Sequence, residues 1–174
     1  AERFHLEMEA ARLAFRDRDA LLADAPAMKA KVADLLSKDY AAALRRHIRR
    51  DAAMTDLPPP GVAGGDTTYL TVVDRDLNAV SLINSIYDTF GSVITCAKTG
   101  VLFQNRGKFF RLDPAHPNAI AGRKRTLHTI MPGMALRGGR AHLAFGVMGG
   151  DYQPVGQAHV LTNIVDFGMD LQQA

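Results

Sequence analysis

The side chains best placed to do chemistry lie where a glycine pair meets a strand. Gly64-Gly65-Asp66-Thr67-Thr68-Tyr69-Leu70-Thr71-Val72-Val73-Asp74 passes from two permissive residues through an acid into two threonines, then into β-branched and aromatic residues. A threonine hydroxyl is a weak nucleophile until a base removes its proton. A cut before the threonine would supply that base. Its own α-amine, with an unperturbed pKa of about 7.7–8.0, is matched to neutral pH. The same hydroxyl can make the cut by attacking the preceding carbonyl. Both steps need an oxyanion hole, and successive backbone N–H groups at a glycine pair beside a helix N-terminus can form one. Gly149-Gly150, ahead of a helical stretch that starts near Tyr152, has that layout. By spacing alone the plainer readings are a strand start for Thr67-Thr68 and a turn for Gly149-Gly150.

Other reactive residue types point to structure. His116 and His128 read as loop or packing residues. Asp113-Pro114-Ala115-His116 lacks partners at metal-ligand spacing, so no metal and no cofactor is expected. Cys96 is the single cysteine and reads as a buried, small apolar residue. It excludes an internal disulfide and leaves the compartment undetermined between a bacterial-type cytoplasm and periplasm.

Positioning elements are legible around the threonines. Glu2 to about Leu22 is helical, with Phe4, Met8, Ala11 and Phe15 on one apolar face. Pro26 interrupts, and Lys29–Leu36 is a short helix. Ser37 is an N-cap for a further helix carrying Tyr40, Ala43, Leu44, His47 and Ile48 on one side. Its basic end, Arg45, Arg46, Arg49 and Arg50, suits the negative pole of that helix. Leu57-Pro58-Pro59-Pro60-Gly61 cannot be regular helix or central strand and makes an exposed linker open to cleavage. Thr68–Val73 and Asn78–Ile83 form a hairpin with both faces largely buried. Gly100–Phe103 is a short strand, and 104–128 a long loop. Thr129–Arg137 and Arg140–Gly146 pair around Gly138-Gly139. A helix from about Tyr152 to Phe167, with Pro154 in its first turn, closes the chain. Helices, hairpins and a closing helix make an α+β fold, antiparallel sheet with packed helices.

Composition narrows the partners. The chain has 174 residues, enough for one domain with a sizeable core, and at 47% hydrophobic and 22% charged it is ordinary globular sequence. No apolar run approaches the ~20 residues of a membrane span. Six bases, Arg106, Lys108, Arg111, Arg123, Lys124 and Arg125, share one stretch with a single acid, Asp113. No recognised nucleic-acid motif surrounds them, so nucleic acid is not the expected partner. A small anionic substrate or a solvated loop fits better.

The run from Asp66 to Ser81 resembles the start of the small subunit of γ-glutamyltranspeptidases. The resemblance continues through Thr89-Phe90-Gly91, Gly100–Gly107, Gly122–Thr129, Gly146–Asp151 and Asn163–Gly168, in order. Residues 1–50 resemble the helical end of the large subunit, 51–66 the linker ending at the cleavage site, and 67–174 the start of the small subunit. The chain thus resembles a piece of a precursor spanning the subunit junction, with the rest of both subunits as partners. The resemblance implies an N-terminal-nucleophile hydrolase with an αββα sandwich. It implies autocatalytic cleavage between Asp66 and Thr67, and an acyl-enzyme on Thr67 that water or an amine resolves. The small-molecule amide implied is a γ-glutamyl one of the glutathione type. Gly149 and Gly150 match the family's oxyanion glycines, Ser85 a hydroxyl that bonds the nucleophile, and Thr68 the second threonine.

Departures concern the substrate. Tyr87 stands where γ-glutamyl enzymes have asparagine, Arg106 replaces a glutamine, and Phe109 replaces the aspartate facing the glutamyl ammonium. His128-Thr129 replaces a serine pair at the carboxylate. Such features resemble a divergent branch with glutaryl-cephalosporin acylases and an oxamate amidohydrolase. An amidohydrolase for glutaryl, oxamate or similar carboxylated amides is therefore the alternative, and a non-catalytic member of the family the second. Leu77 stands where a turn glycine is usual.

Overall fold

The computed structural model describes residues 2–55 and 66–174. Most of the proline and glycine linker lies outside them. Two compact units emerge, Ala1–Pro60 with Gly107–His128, and Gly61–Arg106 with Thr129–Ala174. No described helix is long and apolar enough to cross a membrane.

In the first unit, α1 (Glu2–Leu21) contains neither glycine nor proline and is laced by Arg3–Glu7 and Arg12–Glu9 ion pairs at 3.0 and 2.6 Å. A short turn at Ala25–Ala27 and α2 (Val32–Leu35) lead to α3 (Lys38–Arg45). Ser37 caps α3 as expected, its hydroxyl accepting from the Tyr40 N–H at 3.1 Å. The Tyr40 hydroxyl donates to Asp17 at 2.7 Å, holding α3 to α1.

Three expectations for this unit are corrected. The buried residues of α1 are Glu9 and Leu13, whereas Phe4 is exposed. Glu9 receives the Met54 N–H at 2.8 Å, so the polar side of the helix faces the returning chain. Second, α3 stops at Arg45, short of Ile48, and the basic residues beyond it bond elsewhere: Arg49 to Asp51 and Arg50 to Glu2. Third, the basic loop is only partly solvated. Asn118 is buried and donates to the Phe109 carbonyl at 2.9 Å while accepting from the Leu127 N–H at 3.3 Å. Lys124 donates to the Pro117 and Ala119 carbonyls, and Arg125 to Asp24. His116 meets the Asp19 carbonyl at 2.9 Å.

The second unit carries β1 (Asp66–Val73) and β2 (Ala79–Tyr87), paired antiparallel, and β3 (Gly133–Arg137) with β4 (Arg140–Phe145), also antiparallel. It ends in α4 (Tyr152–Val165). The β1–β2 turn is built on Asp74, whose carboxylate accepts the Asp76 and Asn78 N–H groups and the Asn78 side-chain amide. Those bonds, led by the Asn78 side chain, hold its pKa below the ordinary value. Leu77 sits at φ +64, which explains why glycine would be at home there.

The hairpin is not buried on both faces. Cross-strand pairs Leu70↔Leu82 and Val72↔Val80 lie on a face whose apolar side chains are exposed. The opposite face bears Thr67, Tyr69, Ser81, Ile83 and Ser85, all partly covered. Gly100–Phe103 is not a regular strand either. It folds back on 92–96 through one bridge, Thr95↔Leu102, and Val93 at φ +62 breaks the partner segment. Cys96 is only half-buried, contrary to expectation, and a bond to Thr99 lowers its thiol pKa.

Candidate active site

The site grows from an irregularity in the first hairpin. Asp66 pairs with Tyr87 and Thr68 with Asn84, so two β2 residues, Ser85 and Ile86, stand opposite Thr67. This is a β-bulge, a device that re-aims side chains next to functional sites. Here the Thr67 hydroxyl donates to the Ser85 hydroxyl at 3.2 Å. Ser85 also accepts the Tyr87 N–H at 3.0 Å, which fixes its oxygen from the other side.

Tyr87 ends the strand at φ +78 with its side chain buried. That backbone region is costly for an aromatic residue and persists only where its surroundings enforce it. The Arg106 guanidinium lies over its ring, 5.2 Å from the centroid. Arg106 Nη1 donates to the Thr129 hydroxyl at 3.1 Å, and Thr129 is itself only 1% exposed. Neighbouring Asn105 is held by Asp88, and the Arg106 N–H by Gln104. Arg106 is 6% exposed, and its Nη2 has no hydrogen-bond partner among the described residues. Burial lowers its pKa, only partly offset by Tyr87.

The glycine pair is set by a second close approach. A Cβ on Gly146 would lie 2.5 Å from the Tyr69 ring, so only glycine lets β4 leave past that ring. Tyr69 projects to the same side as Thr67, two residues on. Its hydroxyl meets Ser81 at 3.0 Å, and Ser81 reaches the Phe145 carbonyl at 3.3 Å. From there the chain enters Gly149 and Gly150, at φ +121 and +55, directly before α4. Gly150 is buried.

Of the residues singled out by sequence, Thr67, Ser85, Tyr87, Arg106 and Thr129 form one connected series. Thr68 is the next residue along β1 and is exposed; His128 is exposed and falls in the first unit. Asp66 opens β1. Two glutamines escaped the sequence reading. Gln153, fully buried, accepts the Met131 N–H at 3.0 Å, and Gln157 donates to the Met131 carbonyl at 2.5 Å. One turn apart on α4, they tie the segment leaving Thr129 to the helix that follows the glycine pair. Both bond the backbone of Met131, so no side-chain pattern in the sequence points to them. Among the described residues no cluster of His, Cys, Asp or Glu could hold a metal ion.

Known proteins share this arrangement of elements. A cephalosporin acylase from Bacillus halodurans superposes with a TM-score of 0.85 at 40% identity, covering 96% of this chain and 30% of that one. A gamma-glutamyltranspeptidase from Pseudomonas nitroreducens superposes with a TM-score of 0.56 at 30% identity, covering 60% of this chain and 59% of that one. These define the class: an α+β N-terminal-nucleophile hydrolase fold, of which this chain supplies helices and antiparallel strands. The family model for gamma-glutamyltranspeptidase matches residues 1–174, and the chain belongs to that family. It is 43% identical over 173 residues to the glutathione hydrolase-like YwrD proenzyme of Bacillus subtilis, covering 99% of this chain and 32% of that protein. It is 39% identical over 175 residues to the oxamate amidohydrolase proenzyme of Klebsiella pneumoniae, covering all of this chain and 33% of that protein. The chain spans about a third of the length of these relatives.

Proposed function

We propose that this chain carries the self-cleavage site and nucleophile of an amide hydrolase or acyltransferase. The observation that carries the reading is the Thr67–Ser85 hydrogen bond at the bulge. In the first step Thr67 Oγ attacks the Asp66 carbonyl carbon, the peptide C–N bond breaks, and the acyl group moves to oxygen. Water then hydrolyses the ester, releasing the Asp66 carboxylate and leaving Thr67 with a free α-amine. That amine takes the hydroxyl proton as Thr67 attacks the substrate amide, and the proton passes to the departing amine. Water or an acceptor amine resolves the acyl ester. Ser85 positions the Thr67 oxygen. The Gly149 and Gly150 N–H groups receive the oxyanion, consistent with two left-handed glycines before a helix.

Relatives named glutathione hydrolase suggest γ-glutamyl amides as substrates; those named oxamate amidohydrolase and acylase suggest other amides. The nucleophile machinery serves either class. Mass spectrometry of the full-length protein is the test. Wild type is expected as two pieces split between Asp66 and Thr67, and Thr67→Ala as one intact chain with amide turnover reduced at least about 1,000-fold. A wild-type chain that stays whole after folding, or a Thr67→Ala protein that splits normally, would sink the proposal.

A further inference from the structure

The segment between Thr129 and β3 lies outside the strands, yet both backbone groups of Met131 are taken. Its N–H donates to Gln153 Oε1 at 3.0 Å, and its carbonyl accepts from Gln157 Nε2 at 2.5 Å. Gln153 is fully buried. Two side-chain amides one turn apart on α4 thus do for Met131 what a neighbouring strand would do. The N–H demands an oxygen and the carbonyl a donor, so two amides match where two aliphatic side chains would not.

The first turns of α4 carry this anchorage to the glycine pair. The Gln153 N–H donates to the Gly150 carbonyl at 3.2 Å, and the Tyr152 N–H to the Gly149 carbonyl at 3.0 Å. In a trans peptide the N–H points away from the carbonyl, so the second bond sets the direction of the Gly150 N–H. Tyr152 is packed against the same turns: a Cβ on Gly156 would lie 2.6 Å from its ring, and one on Gly149 3.4 Å from its Cβ. Gln153 is therefore bonded to the glycine pair by its main chain and to Met131 by its side chain. The threonine is referred to the same segment from the other direction. Thr67 bonds Ser85, Ser85 accepts from the Tyr87 N–H, and Arg106 lies over the Tyr87 ring and donates to Thr129.

We propose that Gln153 and Gln157 are positioning residues, which hold the oxyanion donors at Gly149 and Gly150 in register with Thr67. The inference deepens the function proposed above and rests on its reading of Thr67, Gly149 and Gly150. An oxyanion donor acts only when it stands about 2.7–3.1 Å from the place where the charge develops, and a misplacement of about 1 Å can cost about 100-fold in rate. Glycines at φ +121 and +55 have no side chains with which to resist displacement. The two amides supply that resistance through α4. Their contribution is to the transition state, because they act on the donors and not on the binding of the amide.

The test uses the full-length protein after processing, with γ-glutamyl and glutaryl anilides as substrates. In Gln153→Leu and Gln157→Leu, kcat is expected to fall about 10- to 100-fold while KM stays within about twofold. Glu9→Ala, the more destabilised protein, should keep the wild-type kcat at a temperature where all three are folded. An unchanged kcat in the glutamine variants, a loss expressed in KM, or an equal loss of kcat in Glu9→Ala overturns the proposal. Amide hydrogen exchange in the uncut Thr67→Ala protein separates the brace from the nucleophile, since it needs no turnover. Added to that background, Gln157→Leu should speed exchange about 10-fold or more at Met131 and at Gly149-Gly150 together. Faster exchange confined to Met131 refutes the brace even where Thr67 proves to be the nucleophile. Faster exchange at both places, in a protein whose wild type neither splits nor turns over an anilide, upholds the brace and refutes only the reading of Thr67.

Discussion

Glu9 and Arg106 are both buried ions, and the molecule treats them in opposite ways. Glu9, at 2% exposure, spends both carboxylate oxygens: one accepts from Arg12 at 2.6 Å, the other from the Met54 N–H at 2.8 Å. Arg106, at 6% exposure, faces one neutral hydroxyl and a ring, and among the described residues nothing bonds its Nη2. Burial of a charge does not by itself mark a binding site. Glu9 is a fastener because its partners come from the same chain. Arg106 has no such fastening among the described residues, where its Nη2 is buried without a hydrogen bond.

The largest expected effect breaks the satisfied member. Glu9→Ala leaves the Met54 N–H and Arg12 without their acceptor, and should cost about 2–3 kcal/mol in urea unfolding. If the loss is negligible, Glu9 is no fastener and the contrast fails. Its pH dependence sharpens the point. Burial pushes the Glu9 carboxyl up, but the Met54 N–H and the bond to and charge of Arg12 together hold it below its ordinary 4.5. A depressed folded pKa gives stability that is fully present above the unfolded value and lost as pH falls through the folded one. The urea midpoints of wild type and Glu9→Gln should therefore converge as pH falls below that ordinary value, with wild type ahead at neutrality.

A middle case is Gln153, whose oxygen is used and whose buried nitrogen has no partner among the described residues. Gln153→Leu should cost about 1 kcal/mol, less than Glu9→Ala, because one bond is lost while one unpaired donor is also removed. The smallest change in stability is expected at Arg106. Arg106→Met removes an uncompensated charge from a buried place, so stability should hold or rise by up to about 1 kcal/mol. A loss comparable to that of Glu9→Ala would make Arg106 a structural residue and place both ions in one category.

How far the sequence anticipated this depends on whether the controlling interaction is local. Ser37 capping α3, the extent of α1 and α4, and the hairpin around Asp74 all follow from residues within a few positions of each other, and they were legible. The buried side of α1 was not, because Met54 chooses it from more than forty residues away. Gly100–Phe103 has strand composition, yet a left-handed Val93 in the facing segment prevents a ladder. At the candidate site, Thr67, Ser85 and the glycine pair are expected from their resemblance to a family more than from spacing, and the structure joins Thr67 to Ser85. Arg106 was visible as a substitution, but Asn105-Arg106-Gly107 reads locally as an exposed turn. Its burial comes from Tyr87 and Thr129, distant in sequence. The glutamine brace was missed because each partner is a backbone group, which no side-chain pattern announces.

The bulge opposite Thr67 also bears on the fidelity of the proposed self-cleavage. The chain offers two threonines in succession, and a cut one bond later would produce an equally good N-terminal threonine by composition. The pleat denies it equal standing. Thr68 pairs with Asn84 on the exposed face, while Thr67 alone is turned toward Ser85. On the proposed self-cleavage the hairpin would act as a proofreader of its own maturation, because a miscut end would present its hydroxyl to the wrong side of the sheet.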